Sequence, residues 1–572
     1  MLSLASFLQQ LIIRLMIAKA LNYKTFNWLS GCALLIAVTL SLPIFVVSSS
    51  VFSGLGPTWV HLADTVLSDY VSNSFLLLLG VAAGTLLLGV PAAWFTSVCE
   101  FRGKVLLTWM FLLPLAFPAY IVAYTYTGLL DFAGPVQSFI REFSGLKYGE
   151  YWFFEIRSLP GAAIMLTLVL YPYVYLLTRA AFLQQSTNSL EVCRTLGYSR
   201  YRAFFHLSLP MARPAIIAGL TLALMETLAD YGTVQFFGIS TFTTGIFRTF
   251  YGLGDSTAAA QLASLLLSFV AMLIILERYS RRQNRYHSNS EQRAAPALIK
   301  LSKTNTCYVW LICFSPILFG FLLPAAVLLY WSVCEAVFEA SAFFSLAWNS
   351  FYLAISAAVI AVLLSLLLAY ARRLKSNPLV NSAVTISGLG YALPGTIIAI
   401  GILIPLAWLD HRLIDLFESF FDIEIGLLLS GSLFALLFAY TVRFLAVSMG
   451  AVQTGLDKIK PNIDNAARSL GNNNLKVLQL VHVPLMRSSL LTALLIVFVD
   501  VLKEFPATLI LRPFNFNTLA VHAFELASDE RLMDAAPASL MIVAVGLLPV
   551  ILLSRSISKR PAMSVSKGIK QQ

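Results

Sequence analysis

Apolar residues run along this chain in blocks of about twenty, separated by short polar stretches that carry most of its charge. An α-helix rises about 1.5 Å per residue, so about 20 apolar residues cross the hydrocarbon core of a bilayer. Twelve such runs stand out, at roughly 31–52, 73–95, 105–127, 161–183, 213–236, 258–276, 308–332, 348–371, 381–408, 425–446, 487–510 and 536–554. Lipid offers the backbone no hydrogen-bond partner, so each run is expected to be a helix. The pattern predicts an all-α polytopic membrane protein with about twelve transmembrane helices. Residues 1–30 read differently. Leu4, Phe7, Leu8, Leu11, Ile12, Leu15 and Met16 recur at helical spacing, with Gln9, Gln10, Arg14 and Lys19 mostly opposite. That pattern fits an amphipathic helix on the inner membrane face better than a signal peptide.

Composition changes one thing. At 572 residues the chain is long enough for several soluble domains, but 58% of it is hydrophobic and only 12% charged. Soluble proteins use about 45–50% and 25%, so lipid must cover the excess. The net charge of +11 then marks sidedness rather than nucleic-acid binding. Arg278, Arg281, Arg282, Arg285, Arg293, Lys300 and Lys303 follow the sixth run, and Arg555, Lys559, Arg560, Lys567 and Lys570 end the chain. Arg102, Lys104, Arg372, Arg373 and Lys375 fall in loops on the same side. Loops on the other side carry Asp64, Asp69, Glu335, Glu339 and the acidic residues of 410–424 and 529–534. Both termini are expected in the cytoplasm. The six cysteines show no metal-binding spacing and read as small apolar packers. No metal site is assigned.

The chain repeats itself once. Asn73-Ser74-Phe75 recurs as Asn349-Ser350-Phe351 and Pro118 as Pro394, both at an offset of 276. Arg194-Thr195-Leu196-Gly197 recurs as Arg468-Ser469-Leu470-Gly471 at an offset of 274, and Pro210 and Pro484 keep that offset. Six runs per half is an even number, so the halves point the same way and a translocation path is expected between them. The organisation is a helix at 1–30, a first half at 31–276, a basic linker at 277–303, a second half at 304–556 and a tail at 557–572.

The loop between the fourth and fifth runs of each half is the most informative segment. The first, within 190–212, reads Glu191-Val192-Cys193-Arg194-Thr195-Leu196-Gly197 and then Pro210. The second, within 464–486, reads Asn465-Ala466-Ala467-Arg468-Ser469-Leu470-Gly471 and then Pro484. Each fits a short helix closed by a glycine in a left-handed turn, followed by a proline that opens the next span. These loops resemble the EAA loop of the permeases of ATP-binding-cassette importers. The resemblance implies a short helix that docks on an ATPase subunit and transmits its closure. The pattern departs from the family at Asn465, where Glu is preferred, and at Val192 and Cys193, where Ala is preferred. The chain has no GxxxxGK[ST] phosphate loop. It is therefore read as a transport subunit, not an enzyme, with no catalytic residues and no cofactor of its own. ATP and Mg are expected on two copies of a cytoplasmic ATP-binding partner.

The fifth run of each half carries charge inside the membrane: Glu226 and Asp230, then Asp500, Lys503 and Glu504. Glu226 matches Asp500, and Asp230 matches Glu504, at the 274 offset. Within each pair the spacing of four puts both carboxylates on one helix face. Intramembrane charge is costly and faces a cavity or a partner. These groups either line a pathway suited to a hard cation or hold helices together, for instance through Lys503. The surrounding residues, Glu226-Thr227-Leu228-Ala229-Asp230-Tyr231-Gly232-Thr233 and Lys503-Glu504-Phe505-Pro506-Ala507-Thr508, resemble the signatures of the iron(III) importer permeases. That resemblance implies a bacterial inner-membrane permease that takes iron(III) from a periplasmic binding protein and passes it inward by alternating access, with Tyr231 beside the pathway carboxylates. The outer loops 128–160 and 511–535 are then the expected docking surfaces. Fused permeases for thiamine or phosphonate-like compounds share the architecture. A twelve-span transporter driven by an ion gradient is the remaining alternative, although it gives no reason for two glycine-closed loops.

Overall fold

The computed structural model describes residues 28–147, 150–185, 202, 204–282, 299–337, 339–375, 377–422 and 426–558. The expected amphipathic helix and tail lie outside the described residues, as do most of the linker and of the first docking loop. The first half builds α1 (Trp28–Ser49), α2 (Leu67–Val98), α3 (Lys104–Met110), α4 (Ala119–Leu130), α5 (Leu159–Gln184), α6 (Leu209–Ala229), α7 (Gly232–Phe236), α8 (Phe242–Phe247) and α9 (Ser256–Arg282). The second half builds α10 (Lys303–Ile317), α11 (Leu323–Cys334), α12 (Ala340–Leu374), α13 (Pro378–Ser387), α14 (Gly395–Phe421), α15 (Leu433–Asp457), α16 (Pro461–Ser469), α17 (Arg487–Lys503), α18 (Pro506–Leu511), α19 (Leu519–Ser528) and α20 (Ala536–Ser558). Among the described residues, nine helices are long and apolar enough to cross a membrane, or eleven if two bent pairs each count as one. The protein is a polytopic all-α membrane protein. Its one sheet among these residues is a two-residue parallel pairing of Cys99 with Ile299 and Glu100 with Lys300.

Several expected spans are broken, and each break has a local cause. The run 105–127 is not one helix: the segments Lys104–Ala116 and Ala119–Ser144 meet at 90°. Pro118 stands at the corner, and Phe117 before it is extended, with φ −86° and ψ 131°. The run 381–408 breaks in the same way at Pro394, with Leu393 at φ −95° and ψ 135°. Proline lacks an N–H and drives its predecessor out of the α region. The runs 213–236 and 487–510 also stop short, at Ala229 and Lys503. In both, an acidic residue follows and a new short helix begins.

The described residues fall into two compact units. One holds α1 with 351–501 and 511–514; the other holds 50–350 with 502–510 and 515–558. These units cut across the sequence repeat. In the first, α1 packs on α13 and α14. There a Cβ on Gly401 would stand 2.5 Å from the Pro43 carbonyl oxygen, so the α1 and α14 backbones nearly touch. In the second, α2 and α5 approach closely through Gly80 against Ala163 and Gly89 against Val174. Small residues at crossings let dispersion act at short range where lipid gives no hydrophobic drive. The core of this unit is rich in aromatic residues, with Phe111, Phe117, Tyr124, Tyr171 and Tyr175 fully buried.

Candidate functional site

The second expected docking loop, 464–486, lies wholly among the described residues. Pro461 occupies the first turn of α16, where its missing N–H costs nothing. Asp464 and Ala467 face inward, while Asn465, Ala466, Arg468, Ser469 and Leu470 are exposed, Leu470 at 81%. Gly471 has φ +82°, a left-handed turn open to glycine at little cost. Across it, Gly471 N–H donates to Arg468 O (2.9 Å) and Asn472 N–H to Ala467 O (3.4 Å), which consumes carbonyls the helix end would leave unpaired. Asn473 then caps the following turn through Lys476 N–H (2.9 Å). A π turn, Leu478–His482, leads to Pro484. The first half has the same approach, a π turn at Phe204–Ser208 followed by Pro210 in α6. Glu191, Arg194 and Gly197 lie outside the described residues.

Behind α16 sits a polar cluster that the spacing of the motifs did not single out. Arg373 donates from Nε to Asp464 Oδ2 (2.8 Å) and from Nη2 to Oδ1 (3.1 Å). The same guanidinium reaches Leu456 O (2.6 Å) and Ile459 O (2.8 Å). His482, fully buried, places Nε2 2.8 Å from Asp464 Oδ1 and its ring edge-on to Tyr370 at 5.4 Å. Burial pushes the Asp464 carboxyl up, but the hydrogen bonds from Arg373 and His482 outweigh it and hold the group below the usual aspartate range.

The membrane carboxylates are placed by the helix breaks. Asp230 ends α6. Thr233 Oγ1 donates to its Oδ1 (2.9 Å) and Val234 N–H to its Oδ2 (3.1 Å), so it caps α7. Glu504 is 5% exposed and accepts from Ala507 N–H (2.9 Å), capping α18. These repeat equivalents thus do the same local job, satisfying backbone donors at a helix start. Glu226 and Asp500 are half-buried on α6 and α17. Lys503 Nζ donates to Leu115 O (2.8 Å), beside the broken span at Pro118.

The residues that follow the two capping carboxylates come together. The Tyr231 ring lies 5.8 Å from Phe505 and 4.8 Å from Phe247, and Phe505 lies 4.4 Å from Phe524. Tyr120 joins at 5.3 Å from Phe505. The Asn-Ser pairs that revealed the repeat also have a structural task. Asn73 Nδ2 donates to Ser240 O (2.9 Å) and Asn349 Nδ2 to Asn517 O (3.3 Å). Ser74 Oγ accepts from Phe242 N–H (3.3 Å) and Ser350 Oγ from Leu519 N–H (2.8 Å). Each pair pins the start of the helix that follows the break. Ser74, Thr227, Asp230, Thr241 and Thr243 line a small polar cavity there.

Known proteins resemble this chain in sequence. The family described as binding-protein-dependent transport system inner membrane component matches residues 85–285. Over both halves, the chain is 26% identical across 535 residues to the Fe(3+)-transport system permease protein FbpB 2 of Haemophilus influenzae, covering 92% of this chain and 98% of that protein. The chain thus resembles the permeases of such transport systems, in part by the family model and along both halves by this relative. This permease is also 24% identical over 497 residues to the ferric transport system permease protein FbpB of Actinobacillus pleuropneumoniae, covering 83% and 69% of the two. The molybdenum transport system permease protein ModB of Escherichia coli matches at 27% over 232 residues, 98% of its length but 38% of this permease. One half here therefore corresponds to nearly a whole ModB. The family matched is described as an inner-membrane component of binding-protein-dependent transport, and the nine or more apolar helices among the described residues agree with a multi-pass membrane protein.

Proposed function

We propose that this permease carries iron(III) from a periplasmic binding protein into the cytoplasm by alternating access. Its energy comes from two copies of an ATP-binding subunit docked on the loops 190–212 and 464–486. The observation that carries the reading is α16: a short helix with an exposed outer face, closed by a left-handed Gly471 and aligned in sequence with a second copy. Two docking loops call for two ATPase copies. ATP and Mg belong on those partners, because the sequence contains no phosphate loop. Iron(III) is supported by the relatives that align over both halves, whose names are ferric. The carboxylates at 226, 230, 500 and 504 are each a hard oxygen donor of the kind such an ion prefers, although no three acidic, His or Cys side chains gather to hold a metal among the described residues. The basic loops support a topology with both termini in the cytoplasm.

On the opposite face, the binding protein would meet the loops 128–160 and 511–535. Arg157 pairs there with Asp131 (3.2 Å) and Glu530 (3.8 Å). Trp152 is 87% exposed, and an exposed aromatic residue suits an interface anchor.

The test is reconstitution of the permease with candidate ATPase and binding-protein chains. ATP-dependent uptake of radioactive iron(III), stimulated by the loaded binding protein and lost in Gly197→Asp/Gly471→Asp, is the expected result. Uptake that ignores ATP and collapses with the ion gradient would overturn the importer reading. Stimulation by thiamine- or phosphonate-loaded proteins alone would overturn the substrate.

A further inference from the structure

The second docking helix is held by more than its own turns. One guanidinium, Arg373 at the end of α12, binds the carboxylate of Asp464 in α16 through two nitrogens and the carbonyls of Leu456 and Ile459 near the end of α15. Through Asp464 the connection continues to His482, in the turn that leads to α17. The side chains are 15%, 10% and 0% exposed, so water screens these charges weakly. A planar two-pronged contact fixes orientation as well as distance, which a lysine cannot do. A push on the outer face of α16 must therefore displace α12 or break a buried charge pair.

The first half has different residues at these positions. At the repeat offsets, Arg373, Asp464 and His482 correspond to Ser97, Leu190 and Ser208. The Ser97 hydroxyl is spent on Ala93 O (2.6 Å), and a leucine at 190 has no acceptor in its side chain. At Ser208 the backbone carbonyl, not the side chain, accepts from Gln185 (2.9 Å). Around Trp94, which corresponds to Tyr370, the first half packs Phe182 and Phe204 at 5.3 and 4.7 Å instead.

We propose that Arg373, Asp464 and His482 form a clamp that passes movement of the second docking helix to α12, so that the two docking loops are mechanically unequal. The inference rests on reading α16 as the ATPase docking helix. It makes the three residues positioning residues that touch neither ATP nor cargo.

The test uses the full complex of permease, ATPase and loaded binding protein in proteoliposomes. Arg373→Gln and Arg373→Lys are expected to retain ATPase co-purification and basal hydrolysis. Stimulation of hydrolysis by the binding protein should fall about tenfold, the size of a typical coupling loss, with uptake falling in parallel. Ser97→Ala and Ser208→Ala should leave stimulation unchanged. A third variant, Arg373→Met/Asp464→Leu/His482→Phe, restores packing without the directional contacts. Wild-type stimulation in that triple variant, or in the single ones, overturns the clamp. So does failure of both the single and the triple variants to assemble, since the cluster would then serve folding. Equal loss in the serine variants overturns the inequality. Absence of ATPase binding by the wild-type chain would sink the docking reading instead, which separates the two ideas.

Discussion

At the level of single residues, the proposed pathway would ask two things of the membrane carboxylates. Asp230 and Glu504 each satisfy backbone N–H groups at a helix start, and the proposal gives each a second task toward a passing cation. Substitution separates the two. Asp230→Asn and Glu504→Gln keep an acceptor oxygen for the cap but remove the charge. They are expected to assemble with wild-type thermal stability while iron(III) uptake falls, and unchanged uptake would leave capping as their whole role. Asp230→Ala also removes the cap, and should cost about 1 kcal/mol in thermal unfolding. Asp464 makes a pH prediction. Its folded-state pKa is depressed by Arg373 and His482, so its contribution is present above the unfolded value of about 3.9 and is lost as pH falls through the lower folded value. Unfolding in detergent between pH 6 and 3 should therefore show a steeper loss of Tm for wild type than for Asp464→Asn. At neutral pH, removing this partner of a mostly buried pair should destabilise by about 3 kcal/mol.

At the level of elements, hydropathy located the helices well and their interruptions poorly. A sliding view of apolar residues runs straight through Pro118 and Pro394, because proline does little to a hydropathy average while it removes a donor and bars its predecessor from the helix. The information was in the sequence all the same, since those two prolines are repeat equivalents. The early ends at Ala229 and Lys503 were missed: the spacing of four reads as one face of a continuous helix, whereas each helix stops just before its second carboxylate. The Arg373–Asp464–His482 cluster was not legible. Its members lie 91 and 18 residues apart, and nothing in local spacing brings them together. The crossing of α1 with α14 was also invisible, although the structure makes it testable. Gly401→Val places a methyl-bearing Cβ against the Pro43 backbone, which cannot rotate away as a side chain could. The expected outcome is a loss of about 1–3 kcal/mol, typical of overpacking, measured as a lower Tm and earlier proteolysis near residues 50–56.

For the whole molecule, the repeat in sequence and the compact units in space are different partitions. The halves join end to end along the chain, yet α1 is packed with α13 and α14 of the second half, and α11 with α4 and α20. Removing residues 1–54 should then damage the second half first. Hydrogen exchange is expected to lose protection in α13 and α14 while α2 and α5 keep theirs. The placement of α1 has a further consequence during synthesis. Its partner Gly401 leaves the ribosome about 350 residues after Pro43, so at ~5–20 residues per second α1 waits some tens of seconds in the bilayer before the surface it fits exists. For that interval lipid, or an insertion chaperone, must occupy the face that α14 later takes.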